Sequence, residues 1–208
     1  MNNRRSIIYI VDDDVSVCRA LSLLLKSHGF KVETFTLAAD FLAFKRLKLP
    51  SCLILDIQLP DINGLVLQET MAARQLTIPI VFITGHGDIP MSVKGMKAGA
   101  IDFLPKPFTK NKLLDAVTLA ISKNKIQIKE QAEIAKIKRR IKTLSPRELE
   151  VFRLVAKGML SKQIARKRGI SLQTIKIHRS RAMRKMQAKT VTEFIRFAQK
   201  AGVTSPQR

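Results

Sequence analysis

The sequence predicts two folds in series: an α/β domain with a doubly wound, parallel, five-stranded sheet, then a helical linker and a small all-α domain of four helices. Three observations carry this. Short strand-like runs alternate with helix-like segments five times in the first half, the pattern of a parallel sheet covered on both faces. The second half is divided at Gly158, Gly169 and Gly202 into short helical segments. Charge is also unequal: of the net +22, residues 1–120 hold only +3 and residues 121–208 hold +19.

Residues 7–11 form a buried strand ending in Asp12-Asp13-Asp14. Asp14 suits the cap of a helix over 15–28, with Leu21, Leu24 and Leu25 on its apolar face and Gly29 at its left-handed end. Residues 32–35 are the second strand and 38–47 the second helix. Residues 52–55 are the third strand, ending in Asp56, and Pro60 and Gly64 punctuate a loop before a helix over 65–74. The fourth strand is 80–84, followed by a helix to Ala98. Gly99 turns the chain into the fifth strand, 101–104, and a fifth helix starts near Thr109. Residues 121–142 lack Gly and Pro and space Ile134, Ile137 and Ile141 three and four apart, which predicts helix. It reads as a solvated basic helix or a weak coiled-coil seam, and its continuity with helix five stays open. Ser145-Pro146-Arg147-Glu148 is a helix start: Ser at the N-cap, Pro at N1 and Glu closing a capping box. Helices then follow over 146–157, 161–168, 172–187 and 190–201. The domain boundaries so read are 1–122, 123–142 and 143–208.

With 46% apolar and 26% charged residues the chain is globular rather than disordered. No apolar run approaches the about 18 residues that span a bilayer, and no signal peptide is read before the first strand. Cys18 and Cys52 lie in apolar segments and read as reduced core thiols, which favours the cytoplasm. His28 and His86 read as surface or loop residues, and no His/Cys cluster has zinc-ligand spacing.

In an open parallel sheet, ligands bind at the carboxyl ends of the strands. Strand one delivers Asp12 and Asp13 there, strand three Asp56, strand four Thr84, and strand five leads to Lys106. Three neighbouring carboxylates repel unless a cation enters, and oxygen ligands with open water positions suit Mg²⁺. Asp56 can then attack a phosphoryl group, while Mg²⁺ and Lys106 neutralise its equatorial oxygens. A Thr84 contact with the bound phosphoryl group exists only in the modified state and can drive a switch.

Ile10-Val11-Asp12-Asp13-Asp14, Leu55-Asp56, Thr84-Gly85 and Lys106-Pro107-Phe108 resemble the receiver domains of two-component response regulators, over about residues 5–122. The resemblance implies a flavodoxin-like, CheY-like strand order 2-1-3-4-5. It implies Asp56 as phosphoacceptor, with Asp12, Asp13, Asp56 and the backbone carbonyl of Ile57 holding Mg²⁺. It assigns Thr84 and Lys106 to phosphate sensing and Phe103 to the switch aromatic. A cis peptide before Pro107 is implied as well.

In the basic half, residues 171–186 read as the recognition helix of a helix-turn-helix. Leu172, Ile175, Ala182, Met183 and Met186 form its apolar face, leaving the other faces to enter a major groove and grip phosphates. Residues 144–201 resemble the LuxR-type helix-turn-helix of the NarL/FixJ family. The marks are Leu144-Ser-Pro-Arg-Glu-Leu-Glu150, Lys162-Gln-Ile-Ala165 and Thr174-Ile-Lys-Ile-His178. The resemblance places Lys176, Ile177 and Ser180 where base contacts occur. It offers Lys162, Ser171, Thr174, Arg179 and Lys185 for the DNA backbone. His178 is either a packing residue or a base reader. Ser161 stands where Asn is common and Ser180 where some members carry Lys. The Gly-His-Gly-Asp-Ile-Pro run at 85–90 and the basic linker look nearer to FixJ-like members. The family implies a sensor histidine kinase and promoter DNA as partners, a homodimer on phosphorylation, contact with RNA polymerase, and no enzymatic activity.

Two other classes compete with this reading. An aspartyl phosphatase usually carries a second Asp two residues after its nucleophile; position 58 is Gln, and no cap domain is present. A nucleic-acid packaging protein would use the +19 charge but bind all duplexes alike, indifferent to Asp56. With no Trp and one Tyr, an aromatic platform for single strands is disfavoured.

Overall fold

A computed structural model describes residues 6–47, 49–85 and 89–203; His86, within the 85–90 run, lies outside them. The chain divides into two compact units, Met1–Ile128 and Lys129–Arg208. Among the described residues no helix is long and apolar enough to cross a membrane.

The first unit contains β1 (Ile7–Val11), α1 (Val15–Ser27), β2 (Lys31–Phe35), α2 (Ala38–Ala43), β3 (Ser51–Asp56), α3 (Gly64–Ala73), β4 (Ile80–Thr84), α4 (Ile89–Lys97) and β5 (Asp102–Pro105). The strands pair in parallel in the order β2-β1-β3-β4-β5. Every residue of β1, β3 and β4 is buried, as a sheet covered on both faces requires. Alternate residues divide between two cores. Ile8, Ile10, Ile54, Val81 and Ile83 meet Leu21 and Leu25 of α1 and Leu113 and Val117 of the last helix of this unit. Ile7, Tyr9, Val11, Leu53, Leu55 and Phe82 meet Phe41 of α2 and Leu67 and Met71 of α3. Both cysteines are buried and unbridged.

Local signals are realised where expected. Asp14 Oδ1 accepts from the amides of Ser16 (2.7 Å) and Val17 (3.3 Å) and starts α1. His28 sits at the C-cap of α1, its Nδ1 2.8 Å from the Leu24 carbonyl oxygen. Helix α2 is shorter than the span 38–47: it stops at Ala43, and Phe44 is extended at φ −64°, ψ 134°. The reason is tertiary, since Phe44 joins Tyr9 and Phe35 in an aromatic cluster with centroids 6.1 and 5.2 Å away. Helix α5 runs unbroken over Lys110–Ile141, so the linker segment continues helix five.

The second unit holds α6 (Pro146–Ala156), α7 (Ser161–Arg168), α8 (Leu172–Met186) and α9 (Val191–Lys200). Ser145 and Glu148 form the capping box reciprocally, and Gly169 ends α7 in the left-handed conformation. Phe152, Ile164, Ile175, Ala182, Met186 and Phe194 are core, joined by Ile137 from α5. Leu172 departs from the expected apolar face: as the first residue of α8 it is 39% exposed, and Met183 is only half-buried.

Gly64 opens α3 against the end of β3. A Cβ there would overlap the Asp56 carbonyl oxygen and lie 3.0 Å from Ile57 Cα, and the Gly64 amide donates to the Ile57 carbonyl at 2.8 Å. Gly64→Ala therefore has to displace backbone beside Asp56. We expect it to cost about 1–3 kcal/mol in urea unfolding followed by the single tyrosine, Tyr9, which reports the first unit. An unchanged midpoint would show that the loop yields without cost.

Candidate functional site

Parallel pairing brings the strand ends together. Val11 of β1 is in register with Leu55 of β3, so the next residues, Asp12 and Asp56, stand side by side. Thr84 ends β4 opposite Pro105 of β5, and the Lys106 amide donates to the Thr84 carbonyl at 2.7 Å. Lys106 Nζ then donates to Asp12 Oδ2 at 2.8 Å and Asp56 Oδ2 at 2.7 Å. Carboxylate oxygens of Asp12, Asp13 and Asp56 all lie within 4.8 Å of one another. Asp12 and Asp56 are buried and Asp13 is exposed. The Lys106–Pro107 peptide is cis.

Burial pushes the Asp12 carboxyl up, against the hydrogen bond and charge of Lys106. Burial also pulls the Lys106 ammonium down, but its bonds and attraction to Asp12 and Asp56 outweigh this and raise it. The remaining lone pairs are partly engaged: Asp12 Oδ1 accepts from the Asp14 amide (2.9 Å) and Asp56 Oδ1 from the Gln58 amide (3.1 Å). Three carboxylates face one ammonium, all donors are hard oxygens, and Asp13 is exposed on one side. That set fits a hard dication such as Mg²⁺. The Ile57 carbonyl accepts the Gly64 amide and keeps one further lone pair. Phe103 is half-buried, 6.0 Å from Phe82.

In the second unit, Lys176, Ile177 and Ser180 lie exposed along α8, lining a shallow groove with Gln173, Arg181 and Arg184. Ser171 Oγ accepts the Thr174 amide at 3.0 Å and meets Thr174 Oγ1 at 2.8 Å, so both residues build the N-cap of α8. Lys162 is exposed in the first turn of α7, and Arg179 is half-buried. His178 is half-buried beside a cavity of about 200 Å³ that Arg147, Glu150 and Arg168 also line. Lys185 donates to the buried Glu148 at 2.6 Å. That pairing was not foreseen: the capping box shows in the sequence, but its cation lies 37 positions away.

A parallel sheet with an acidic, lysine-bridged edge, joined in one chain to a basic helix-turn-helix, defines a signal-receiving regulator of transcription. Residues 8–118 match the response regulator receiver domain and residues 142–198 the bacterial regulatory proteins of the luxR family. The chain belongs to the two-component response regulators with a LuxR-type DNA-binding domain, a family of transcriptional regulators and not of enzymes. It is 42% identical over 201 residues to Nodulation protein W of Bradyrhizobium diazoefficiens, covering 97% of this chain and 88% of the relative. It is 40% identical over 197 residues to Transcriptional regulatory protein FixJ of the same species, covering 94% and 96%. The solved structure of response regulator StyR superposes with a TM-score of 0.80 at 41% identity, covering 94% of this chain and 99% of that one.

Glu148 gives the second unit an acid-sensitive anchor. Burial alone would raise its carboxyl, but Lys185 and the Ser145 amide outweigh that and hold it below the usual range. A folded pKa below the unfolded value, about 4.3, gives stability that is complete above that pH and lost as pH falls through the folded value. Glu148→Gln should cost roughly 1–2 kcal/mol at neutral pH, the low end for a charged hydrogen bond with a partly exposed partner. In unfolding followed by circular dichroism, the wild-type advantage should shrink below about pH 4. A constant difference down to about pH 3 would rule out the carboxylate charge as its source.

Proposed function

We propose that this protein is a phosphorylation-controlled, sequence-specific transcription factor. Asp56 accepts a phosphoryl group from a sensor histidine kinase, and the modified chain dimerises and binds promoter DNA through α8. The observation that carries the reading is Lys106 Nζ, in contact with both Asp12 and Asp56, in a chain that also exposes Lys176, Ile177 and Ser180 on a basic helix.

In the transfer, an Asp56 carboxylate oxygen attacks the phosphorus of the kinase phosphohistidine. The new P–O bond forms as the P–N bond breaks, and the imidazole takes a proton from water. Lys106 balances the charge on the transferring group. Asp12, Asp13, Asp56 and the Ile57 carbonyl would hold Mg²⁺, which when bound neutralises phosphoryl oxygens. Lys106 and the Thr84 hydroxyl then hold the phosphoryl group, a contact absent before modification, and Phe103 repacks with Thr84. Dimerisation sets two α8 helices on half-sites one helical turn apart or a multiple of it. Lys176, Ile177 and Ser180 reach base edges. Lys162, Ser171, Thr174 and Arg179 hold phosphates, as does Lys185 with the donors Glu148 leaves. On the promoter, the bound dimer contacts RNA polymerase.

Intact mass and light scattering after incubation with a small phosphodonor and Mg²⁺ test the switch. Wild type should gain one phosphoryl group and dimerise, whereas Asp56→Asn should do neither. An equal gain by the Asn variant would move the phosphoacceptor elsewhere.

The DNA assignments separate by salt and sequence. On a duplex selected by the wild-type chain from a random pool, Lys176→Ala should cost about 1–3 kcal/mol and relax discrimination at one position. Arg179→Ala should weaken all duplexes alike and lower the slope of log affinity against log salt by about 1. Filter binding across a salt series distinguishes the two.

A further inference from the structure

Helix α8 ends without glycine. Gln187 takes the left-handed conformation at φ 54°, one of two non-glycine residues with positive φ among the described residues. The amides of Gln187 and Ala188 close the helix on the carbonyls of Arg184 and Met183, each at 3.0 Å. The Met186 carbonyl is met from another element: Arg140 Nη1 donates to it at 3.1 Å. Arg140 Nη2 donates to the Gln187 side-chain oxygen, and the guanidinium lies 6.0 Å from the ring centroid of Phe197 on α9, near Arg196 at 5.9 Å from the same ring. A cation at a helix C-terminus also complements its dipole.

Arg140 stands in the last turn of α5, and that end of α5 is firmly held in the second unit. Ile137 is buried in its core, and Glu133 pairs with Lys200 of α9 at 2.5 Å. Yet Arg140 precedes the segment that matches the luxR family, 142–198. The grip on the end of α8 thus comes from the helix leading into the DNA-binding module.

We propose that Arg140 is a positioning residue for DNA recognition. Its guanidinium fork clamps the C-terminal turn of α8 on Met186 and Gln187, so base readout depends on α5. This rests on α8 being the reading helix.

The test uses the full chain, a duplex selected by wild type from a random pool, and an unrelated duplex of equal length. Arg140→Met keeps an unbranched apolar stem and removes the fork. It should lower affinity for the selected duplex about tenfold, the worth of one charge-assisted hydrogen bond, while the unrelated duplex and the salt slope stay unchanged. Arg140→Lys restores charge without the fork and should recover only part. Gln187→Gly in the Arg140→Met background should also recover part, because glycine closes the helix without a clamp. Unchanged affinity for the selected duplex overturns the proposal. So does equal loss on both duplexes with the salt slope lowered by about 0.9, which would make Arg140 a phosphate ligand. If circular dichroism shows Arg140→Met unfolded, Arg140→Lys decides: wild-type affinity in that variant overturns the proposal. Lys176→Ala serves as the control, since its failure to weaken the selected duplex would remove the reading of α8 instead.

Discussion

Two carboxylates buried side by side repel each other and lose their hydration, a combination that is strongly unfavourable without a counter-charge. Lys106 supplies it, and the first unit is organised around that bridge. The order β2-β1-β3-β4-β5 makes β1 and β3 neighbours, and their register sets Asp12 beside Asp56. Pairing of β4 with β5 fixes where the chain leaves the sheet, and the Lys106 amide on the Thr84 carbonyl pins the residue whose ammonium must reach both acids. The same constraint leaves the charge unbalanced: one ammonium faces the three carboxylates of Asp12, Asp13 and Asp56, a hard-oxygen set that fits a dication.

The second unit solves a similar problem with a smaller core. Glu148 closes the capping box of α6 through the Ser145 amide and binds Lys185 of α8 with the same carboxylate oxygen. A buried acid thereby ties the start of one helix to the basic helix that faces solvent. Arg140 acts one residue further along, on the final carbonyl of α8. Helix α8 is held by polar contacts near its C-terminus and by Ile175, Ala182 and Met186 along its buried side, while Lys176, Ile177 and Ser180 remain outside.

Helix α5 belongs to both units. Leu113, Ala116, Val117, Ala120 and Ile121 bury against the sheet, and Asn124 accepts the Ser51 amide at 2.8 Å and donates to the Thr77 carbonyl at 3.1 Å. Beyond it the helix is mostly exposed until Ile137. Its length follows from composition, because no Gly or Pro interrupts the charged stretch.

The local code was legible. The strands leading to Asp12, Asp56, Thr84 and Lys106 showed as short apolar runs, and the caps at Asp14 and Ser145 and the left-handed glycines showed as single residues, because each depends on neighbours a few positions away. Hence the fold class and the composition of the acidic site were determined by sequence alone. The tertiary structure decided what depends on distant partners: the early end of α2 where Phe44 joins Tyr9, the exposure of Leu172, the double bridge of Lys106 across 94 and 50 positions, and the grips of Glu148 on Lys185 and of Arg140 on the end of α8. Such contacts need strand register and side-chain direction together, and no linear spacing encodes either.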